Sequence, residues 1–271
     1  RVTFDTSHEA RLLMVVERDG KSPADLIALA LGRLEETKSA WNLPQGVYFG
    51  SGSSKGGWAA CFPGQGAQYV GMLRELICRF PVAADTLARA SGATPGLIDR
   101  LYPHPAFDDD SRAEQEAALR ATQIAQPAIG AVSLGAWRIL EQFGISPDAT
   151  CGHSYGELLA LCAAGRLHPD ELHELSRLRG ELMTTSASDP SSMLAVAATC
   201  EQVQALMQKH QLDLVVANHN APRQVVLSGL TDQIDRAADI LSHEGLLTKK
   251  LPVSAAFHSR FVAEAAVRFA K

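Results

Sequence analysis

The sequence predicts an α/β protein in which a large subdomain carries a small inserted one, with a small α/β unit in front. Three observations predict this. A glycine-flanked serine turn, Gly152–Gly156, stands between a strand-like and a helix-like segment. Residues 193–253 alternate between strand and helix patterns in the order βαββαβ, which is the order of a ferredoxin-like unit. A glycine- and serine-rich stretch, Gly50–Gly57, separates the first part of the chain from the rest.

The composition is that of an ordinary globular protein. The chain has 271 residues, of which 46% are hydrophobic, and a formal net charge of -5. This length can bury a substantial core, and the acidic balance gives no support for binding to nucleic acid or to an anionic membrane surface. No segment is long and apolar enough for a membrane span, and the N-terminus lacks the apolar core of a signal peptide. We therefore expect a cytoplasmic protein with no nucleic-acid and no membrane partner.

The cysteine pattern favours a reduced protein. Five cysteines are scattered along the chain without C-x-x-C spacing, and several lie inside apolar runs: Cys61, Cys78, Cys151, Cys162 and Cys200. The pattern predicts reduced core residues, and neither disulfide bonds nor a zinc site. No metal is expected in this protein.

Residues 1–57 are predicted to form a strand, a helix and a second strand. The first strand is the apolar run Leu12–Val16, and the helix covers Ala24–Glu36 behind Ser22 as its N-cap. The second strand is Val47–Phe49. A unit of this size holds little core by itself.

Residues 58–190 are predicted to form the large subdomain. Trp58–Phe62 has the pattern of a buried strand and breaks at Pro63–Gly66. Glycines on both sides of Gln65 let the backbone turn tightly and leave its amide N–H facing whatever lies above the strand end. An ordinary tight turn explains the same four residues, so this segment alone leaves both interpretations open.

A helical region follows in the large subdomain. Its pattern predicts a helix over Tyr69–Phe80, a solvated acidic loop around Asp108–Asp110, and a long helical stretch over Glu114–Phe143. That last stretch fits one helix, or two helices broken near Gln126–Pro127.

The turn Gly152–Gly156 holds the candidate nucleophile, Ser154. The turn must be sharp to expose the hydroxyl, so the positions two before and two after the serine must be nearly free of side chain, and glycine occupies both. The helix that follows points its N-terminal amides at the same place, which favours an oxyanion. Because G-x-S-x-G also occurs by chance in ordinary turns, the prediction depends on the strand before it and the apolar run Leu158–Ala164 after it.

A serine hydroxyl needs a base, and imidazole is the natural base near neutral pH. His153 adjoins Ser154 and is better placed to brace the turn, and His219 belongs to a loop of the small unit. His258 follows a strand, has small neighbours and lies where the chain returns to the large subdomain, so we choose it as the base. The other histidines lie in polar loops or on expected solvent faces: His8, His104, His168, His173, His210 and His243.

No acidic residue between Ser154 and His258 stands out as the third member of a catalytic triad. The aspartates in this interval lie at helix starts or in loops, where capping explains them: Asp170, Asp189, Asp213, Asp232 and Asp235. We therefore favour a Ser–His dyad that is steadied by a backbone carbonyl or an amide.

A helix that opens at His168–Asp170 carries two arginines, Arg177 and Arg179. Residues two apart point in different directions around a helix, so only one of them should face the serine turn. A solvated face is the usual place for a helical arginine, and we expect Arg177 there.

Residues 191–254 are predicted to be the ferredoxin-like small subdomain. The loop Asn218–Pro222 joins its two central strands. Residues 255–271 return the chain to the large subdomain. The predicted strands and helices, in order, are strand 193–198, helix 201–210, strands 212–217 and 224–227, helix 231–243 and strand 247–253.

Six short motifs stand in register along the chain: Phe62–Gly66, Gln126–Pro127, Gly152–Glu157, Arg179–Gly180, Asn218–Pro222 and Ala256–Ser259. Together they resemble the malonyl-CoA:acyl carrier protein transacylase family, most closely the acyltransferase domains of type I polyketide synthases. Tyr155 is reminiscent of the iterative synthases that make enediyne cores. The resemblance implies an α/β-hydrolase-like large subdomain, and residues 1–57 look like a ketosynthase-to-acyltransferase linker.

The resemblance also implies a reaction mechanism for the matched residues. Ser154 would be the acylated nucleophile, and His258 its general base and acid. The backbone N–H groups of Gln65 and Tyr155 would form the oxyanion hole. Arg179 would hold the free carboxylate of a malonyl group as a bidentate pair.

Other matched positions bear on the acyl group. A phenylalanine at position 257 goes with malonyl in the family, because its ring leaves no room for the extra methyl of methylmalonyl. Ala255 departs from the malonyl-type pattern, which usually has histidine there, and relatives continue through further strand and helix beyond Lys271. The resemblance also implies substrate-binding positions at Gln126, His153 and Asn218.

The function implied is the loading of malonyl from malonyl-CoA onto the phosphopantetheine thiol of an acyl carrier protein, in polyketide biosynthesis and with no bound cofactor. The carrier protein and a neighbouring ketosynthase domain of the same polypeptide would be the partners. Two alternatives stay open. One is a serine hydrolase or editing thioesterase using the same turn, and the other is a catalytically silent structural module of a multienzyme.

Overall fold

The computed structural model describes residues 8–52, 56–185, 190–251 and 257–270, with only the backbone of Phe261. The chain divides into two units, residues 1–57 and residues 58–271. Some sequence-based expectations lie outside the described residues. These are the middle of the Gly/Ser-rich stretch, Asp189, the end of the last predicted strand, and the residues Ser254, Ala255 and Ala256.

The first unit is a three-stranded antiparallel sheet with one helix. Ser22 caps the helix as predicted, since its Oγ accepts a hydrogen bond from the Asp25 N–H at 3.2 Å. Leu26 and Ala30 of the helix pack with Val47 of the sheet. The sheet order is β1-β3-β2, and β2 is absent from the sequence prediction because three residues are too few to show alternation. The elements are β1 (Ala10–Met14), α1 (Pro23–Glu36), β2 (Trp41–Leu43) and β3 (Val47–Ser51).

The large subdomain of the second unit places two parallel strands side by side. Phe62 at the end of the first strand pairs with Gly152 at the end of the second, so both strands finish at the same edge. The segments that follow them, with Gln65 and Ser154, therefore meet there. The elements are β4 (Ala59–Phe62), α2 (Arg74–Arg79), α3 (Pro81–Ala93), α4 (Leu97–Leu101), α5 (Asp109–Arg120), α6 (Thr122–Gln142), β5 (Ala149–Gly152), α7 (Gly156–Ala163) and α8 (Pro169–Thr185).

The helix predicted over Tyr69–Phe80 is shorter than expected. It begins only at Arg74, because Gly71 with φ of 81° and Leu73 with φ of 50° are in the left-handed conformation and cannot continue a right-handed helix. The next helix, α3, starts directly behind Phe80.

The long helical stretch is broken at Ala121, between α5 and α6, and Pro127 lies inside α6. The proline removes only one backbone hydrogen bond there. The acidic segment is also not a solvated loop. Asp108 caps α5 by accepting a hydrogen bond from the Ser111 N–H at 2.7 Å, and the two aspartates behind it stabilise the positive end of the helix dipole.

Helix α6 is the centre of the large subdomain. Fourteen of its 21 residues are buried, so it is apolar on nearly all sides and has a core on each flank. On one flank Ile124 and Val132 pack in a cluster with Leu87 and residues of α4. On the other flank Ile129 and Trp137 pack in a cluster with Phe62 of β4 and residues of α7 and α8. The helix therefore positions the end of β4 and the elements around the serine turn.

The small subdomain is a four-stranded antiparallel sheet of order β7-β8-β6-β9 with two helices, which is the predicted ferredoxin-like arrangement. The expected loop over Asn218–Pro222 is wrong in part. Residues 218–221 continue β7 and pair with β8 through two register shifts. The elements are β6 (Ser191–Val196), α9 (Cys200–Lys209), β7 (Val215–Ala221), β8 (Gln224–Leu230), α10 (Thr231–His243) and β9 (Thr248–Lys250), followed by a 3-10 turn (Arg260–Val262) and α11 (Ala263–Phe269).

The five cysteines are free of disulfide bonds in this structure, and three of them are exposed. The prediction of core residues holds for Cys162 and is wrong for Cys61, Cys78 and Cys151. Side chains alternate along a strand, so the inward positions of β4 go to Ala60 and Phe62 and leave Cys61 on the other face. There the Sγ atoms of Cys61 and Cys151 lie 3.2 Å apart.

Membrane-spanning and metal-binding features are both missing from the described residues. None of the helices there has the length and apolar character required to cross a bilayer. In the same residues no group of three or more His, Cys, Asp or Glu side chains is arranged to hold a metal ion.

Candidate active site

The serine turn at the end of β5 is strained and tightly packed. Ser154 has a φ of 53°, in the left-handed region that costs a residue with a side chain about 1–3 kcal/mol. A Cβ on Gly152 would meet the carbonyl group of Gly156 at 2.0 Å, and a Cβ on Gly156 would meet the carbonyl oxygen of Phe62 at 2.3 Å. Both contacts are with backbone, so any side chain at either glycine displaces the turn.

Ser154 and His258 meet although 104 positions separate them. The Oγ of Ser154 lies 2.8 Å from the Nε2 of His258, which is hydrogen-bonding distance. Burial lowers the pKa of His258, and the charges of Arg179 and His153 lower it further. The imidazole is therefore neutral near pH 7 and can accept the serine proton.

The imidazole of His258 has no acidic hydrogen-bond partner in the described part of the chain. Glu157, in the first turn of α7, affects it only through its charge, which raises the pKa of His258 against the larger lowering effects. This arrangement is consistent with the Ser–His dyad predicted from the sequence, which stays a prediction.

The turn after β4 docks against the serine turn backbone to backbone. The His153 N–H donates to the carbonyl oxygen of Phe62 at 3.0 Å, and a Cβ on Gly64 would meet the carbonyl oxygen of His153 at 2.4 Å. This contact places the Gln65 amide beside the start of α7. Neither the Gln65 N–H nor the Tyr155 N–H donates to an acceptor in the described residues, so both amides are available to an oxyanion.

The side chain of Tyr155 points away from the cavity and into the core. Its hydroxyl lies 2.5 Å from the Oγ of Ser176, which in turn donates to the carbonyl oxygen of Leu172 at 2.5 Å. Burial raises the pKa of Tyr155. A Cβ on Gly130 would meet the Tyr155 hydroxyl at 2.2 Å. Only the backbone amide of Tyr155 is thus available at the site.

Arg179 lines the same cavity, and the charge of Glu157 acts on it without an ion pair among the described residues. Within the described residues, neither an ion pair nor a hydrogen bond engages its guanidinium, and burial lowers its pKa. Arg177, by contrast, is on the outer side of α8 and pairs with Glu181 at 2.8 Å and with Glu174 at 3.4 Å. A partly buried cation without a counter-charge is costly, so it is typical of a site that receives an anion.

The position of Arg179 follows from the close packing of α8 on α6. A Cβ on Gly180 would meet both the Cα of Gln123 and the carbonyl oxygen of Thr122 at 2.8 Å, so only glycine permits this approach of the two helices. The guanidinium of the preceding residue is thereby held next to the serine turn.

These residues surround one cavity of about 100 Å³. Eight of the nine residues selected from the sequence line it, and Tyr155 is the exception because its side chain is buried beneath. The cavity is small and mixes polar and apolar walls, which suits a short acyl group with a charged end. Its lining is Gln65, Gln126, His153, Ser154, Arg179, Met183, Met193, Asn218, Asn220, Val226, Leu251, Phe257 and His258.

Five lining residues are missing from the sequence prediction. Asn220 follows Asn218 by two positions on β7, and Met183 follows Arg179 by four positions on α8, so strand and helix periodicity could have found both. The other three come from separate parts of the small subdomain, and only the pairing of its strands brings them to the cavity: Met193, Val226 and Leu251.

His173 is not on the surface as the sequence predicts. Its side chain is buried on α8, and burial lowers its pKa. His173 lies on the inward face of α8, where Leu172 and Ser176 are also buried. The prediction is wrong because this face contains polar residues, so the sequence of the helix shows no clear apolar side.

The comparison with protein families decides the identity of this fold and site. The sequence model of the acyl transferase domain family matches residues 61–271. The chain belongs to the acyl transferase domain family. The prediction of an acyltransferase from the six motifs is therefore confirmed.

Similar proteins include much longer synthases. Polyketide synthase GfsB of Streptomyces halstedii is 36% identical over 258 residues, which cover 95% of this chain and 4% of that protein. Mycoketide-CoA synthase of Mycobacterium tuberculosis is 34% identical over 213 residues, which cover 79% of this chain and 5% of that protein. This acyltransferase domain thus spans a small part of the length of these relatives.

Solved structures confirm the predicted two-subdomain α/β fold. The acyltransferase domain from the second module of the salinomycin polyketide synthase matches with a TM-score of 0.79 and 32% identity, covering 96% of this chain and 58% of that one. The malonyl CoA-acyl carrier protein transacylase from Clostridium perfringens matches with a TM-score of 0.68 and 30% identity. The match covers 78% of this chain and 65% of that one. A malonyl-transacylase solved with a type II polyketide synthase acyl-carrier protein matches with a TM-score of 0.70 and 30% identity. The match covers 78% of this chain and 68% of that one.

Proposed function

We propose that this acyltransferase domain transfers malonyl from malonyl-CoA to the phosphopantetheine thiol of an acyl carrier protein, through an acyl-enzyme on Ser154, in polyketide biosynthesis. One observation carries the proposal. A serine in contact with a neutral histidine shares a small cavity with the guanidinium of Arg179, which forms no ion pair with the described residues. The first pair suits acyl transfer, and the guanidinium suits an acyl group that ends in a carboxylate.

In the first half-reaction the Oγ of Ser154 attacks the thioester carbonyl while the Nε2 of His258 takes its proton. The negative charge that develops on the carbonyl oxygen is stabilised by the free amides of Gln65 and Tyr155. The tetrahedral intermediate then expels the coenzyme A thiolate, which receives the proton from His258. The malonyl group remains as an ester on the serine.

In the second half-reaction the phosphopantetheine thiol of the carrier protein enters. His258 takes the thiol proton, and the sulfur attacks the ester carbonyl in the same oxyanion hole. The Ser154 oxygen leaves and recovers its proton from His258. Because water competes with the thiol, transfer exceeds hydrolysis only if water is kept from the acyl-enzyme.

The walls of the cavity support a malonyl group. A planar guanidinium holds a carboxylate by two parallel hydrogen bonds, and the guanidinium of Arg179 lines the cavity without a hydrogen bond to the described residues. Phe257 is buried in a cluster with Met193 and Val226, where its ring restricts the space around the acyl group. An extra methyl, as in methylmalonyl, would have to displace that cluster. His153, Asn218 and Gln126 complete the binding surface.

The partners of this domain are part of the same proposal. Relatives are named as polyketide synthases, and one matched structure contains an acyl-carrier protein bound to its malonyl-transacylase. We propose an acyl carrier protein as acceptor and, from the linker-like residues 1–57, a ketosynthase domain in the same polypeptide. No bound cofactor is proposed. A cytoplasmic location and an enediyne-type synthase remain predictions from the sequence.

The test of this function is a transfer assay. The protein is incubated with malonyl-CoA labelled in the malonyl group and with a carrier protein bearing phosphopantetheine. We expect a malonyl adduct on Ser154 by intact-mass measurement, and then label on the carrier. Free malonate without carrier labelling would favour the serine hydrolase or editing thioesterase. A protein that gains no adduct and releases no malonate would be the catalytically silent module.

The pH dependence of acyl-enzyme formation is a further prediction. His258 must be neutral to act as base, and burial and Arg179 lower its pKa below the ordinary value of 6.5. We therefore expect kcat/KM for acetyl-CoA to rise with pH, with a midpoint below 6.5, and to be level at pH 7. Arg179→Ala should move the midpoint upward, because it removes a positive charge that disfavours the imidazolium.

The control for the pH experiment is Arg177→Ala, which removes an exposed arginine of the same helix that is already neutralised by glutamates. Its profile should coincide with that of the unchanged protein. A midpoint at or above 6.5 in the unchanged protein would contradict the role of His258 as a buried base.

A further inference from the structure

The carboxamide of Gln65 is held at both ends by two residues of α6. Its Nε2 donates to the Oγ1 of Thr122 at 3.2 Å, and its Oε1 accepts from the Nε2 of Gln126 at 3.3 Å. Thr122 and Gln126 are four positions apart, so they share one face of the helix. Both are buried, with 2% and 1% of their surface exposed.

The two contacts couple the orientation of the Gln65 carboxamide to that of Gln126. If the amide of Gln65 were reversed, its NH₂ group would face the NH₂ group of Gln126, and the hydrogen bond between them would be lost. Gln126 is itself held, because its Nε2 also approaches the Sδ of Met183 on α8 at 3.3 Å. The end of β4 is thus connected through α6 to the helix that carries Arg179.

This connection acts on a turn that has two other restraints, a hydrogen bond from the Gly66 N–H to the Oε1 of Gln68 at 2.8 Å and the close approach of Gly64 to the carbonyl oxygen of His153. Glycines flank Gln65, and Gly66 has a φ of 111°, a conformation that only glycine adopts readily. The peptide unit that carries the Gln65 N–H has one long hydrogen bond of its own, from the Ala67 N–H to the Gly64 carbonyl oxygen at 3.4 Å, so an anchor on the Gln65 side chain adds to its positioning. An oxyanion-hole donor must lie within hydrogen-bonding distance of the place where the oxyanion forms.

We propose that Thr122 is a positioning residue of the oxyanion hole, which acts by anchoring the Gln65 side chain and so holding the Gln65 N–H toward Ser154. Gln126 holds the other end of the same carboxamide. This inference rests on the proposed acyl transfer and adds a residue to it. Thr122 itself does not line the cavity that contains Ser154 and Arg179, and its contact with Gln65 connects it to that cavity.

The test compares Thr122→Val with Thr122→Ser. Valine keeps the shape of the side chain and removes the hydroxyl, whereas serine keeps the hydroxyl. Loss of a whole oxyanion-hole donor slows reactions about 10²–10³-fold, so partial misplacement in Thr122→Val should slow acyl-enzyme formation roughly tenfold. The loss should appear in kcat at saturating malonyl-CoA with KM nearly unchanged, and Thr122→Ser should restore the rate to within about twofold.

Two further readouts separate positioning from a general structural effect. An oxyanion forms with every acyl group, so Thr122→Val should slow acetyl-CoA and malonyl-CoA by the same factor. Gln65→Met keeps the backbone N–H and removes both side-chain contacts, and it should give a similar loss. Combined with Thr122→Val it should cause no additional loss, because both substitutions break one connection. Gln65→Met also serves as the test if Thr122→Val does not fold, as judged by thermal unfolding.

The outcomes are distinct. A Thr122→Val protein as fast as Thr122→Ser, losses that multiply in the double variant, or a change in KM alone would overturn the role of Thr122 while leaving the proposed function intact. An unchanged protein that forms no adduct with either acyl donor would contradict both proposals.

Discussion

Replacing Ser154 by alanine is expected to abolish the malonyl adduct and to reduce carrier loading by on the order of 10⁴-fold or more. The hydroxyl oxygen is the atom that would form the ester, and it is the nucleophile that contacts the Nε2 of His258 in the described residues. The substitution removes a single oxygen and leaves the left-handed backbone of the turn with a small side chain. Intact mass after incubation with malonyl-CoA, together with label on the carrier protein, measures the effect.

Ser146→Ala is the matched control for this variant. Ser146 is exposed in the segment before β5 and does not line the cavity. It should load the carrier at the rate of the unchanged protein. A malonyl adduct that persists in Ser154→Ala would place the nucleophile elsewhere and refute the proposed mechanism at its first step.

Replacing Arg179 by alanine is expected to change which acyl group is accepted. A buried carboxylate that loses its charged partner costs about 2–5 kcal/mol, so kcat/KM for malonyl-CoA should fall roughly 10²–10³-fold. Acetyl-CoA has no carboxylate to pair, and its loading should persist or increase, because a buried cation no longer has to stay unpaired. Competition between the two thioesters, read by the mass of the adduct, measures the change of preference.

The control for Arg179→Ala lies two positions earlier on the same helix. Arg177→Ala removes an arginine that pairs with Glu181 and Glu174 outside the cavity, so the ratio of malonyl to acetyl loading should not change. If the ratio stays the same in Arg179→Ala, the guanidinium has no part in selecting dicarboxylic acyl groups.

Much of the secondary structure could be predicted from local sequence signals. Ser22 predicts the start of a helix, and the structure has that helix from Pro23. The amphipathic pattern of Thr231–His243 predicts a helix, and the structure has a helix with the same bounds. Boundaries were predicted less well where single residues adopt unusual backbone conformations. Leu73 in the left-handed region, which delays α2, has no signal in its residue type. Asp108 has a signal as an N-cap, but its acidic neighbours also fit an exposed loop.

The candidate site was predictable where its parts are local. The two glycines around Ser154 indicate a tight turn, and the structure gives the reason in two backbone contacts that exclude any Cβ. The apolar lining of the cavity beside Phe257 could not be predicted from local sequence. Met193 and Val226 have the pattern of ordinary core residues, and only the packing of the small subdomain places them beside Phe257.

The sequence by itself determined the family, the βαββαβ order of the small subdomain and the turn that exposes Ser154, because each depends on neighbouring residues or on motifs with regular spacing. Only the tertiary structure decided which groups share the cavity. It placed His258 against Ser154, directed Arg179 inward and Arg177 outward, and anchored Gln65 on Thr122. These contacts join residues distant along the chain, and they form because parallel strands end at one edge while α6 and α8 pack closely enough to require glycine.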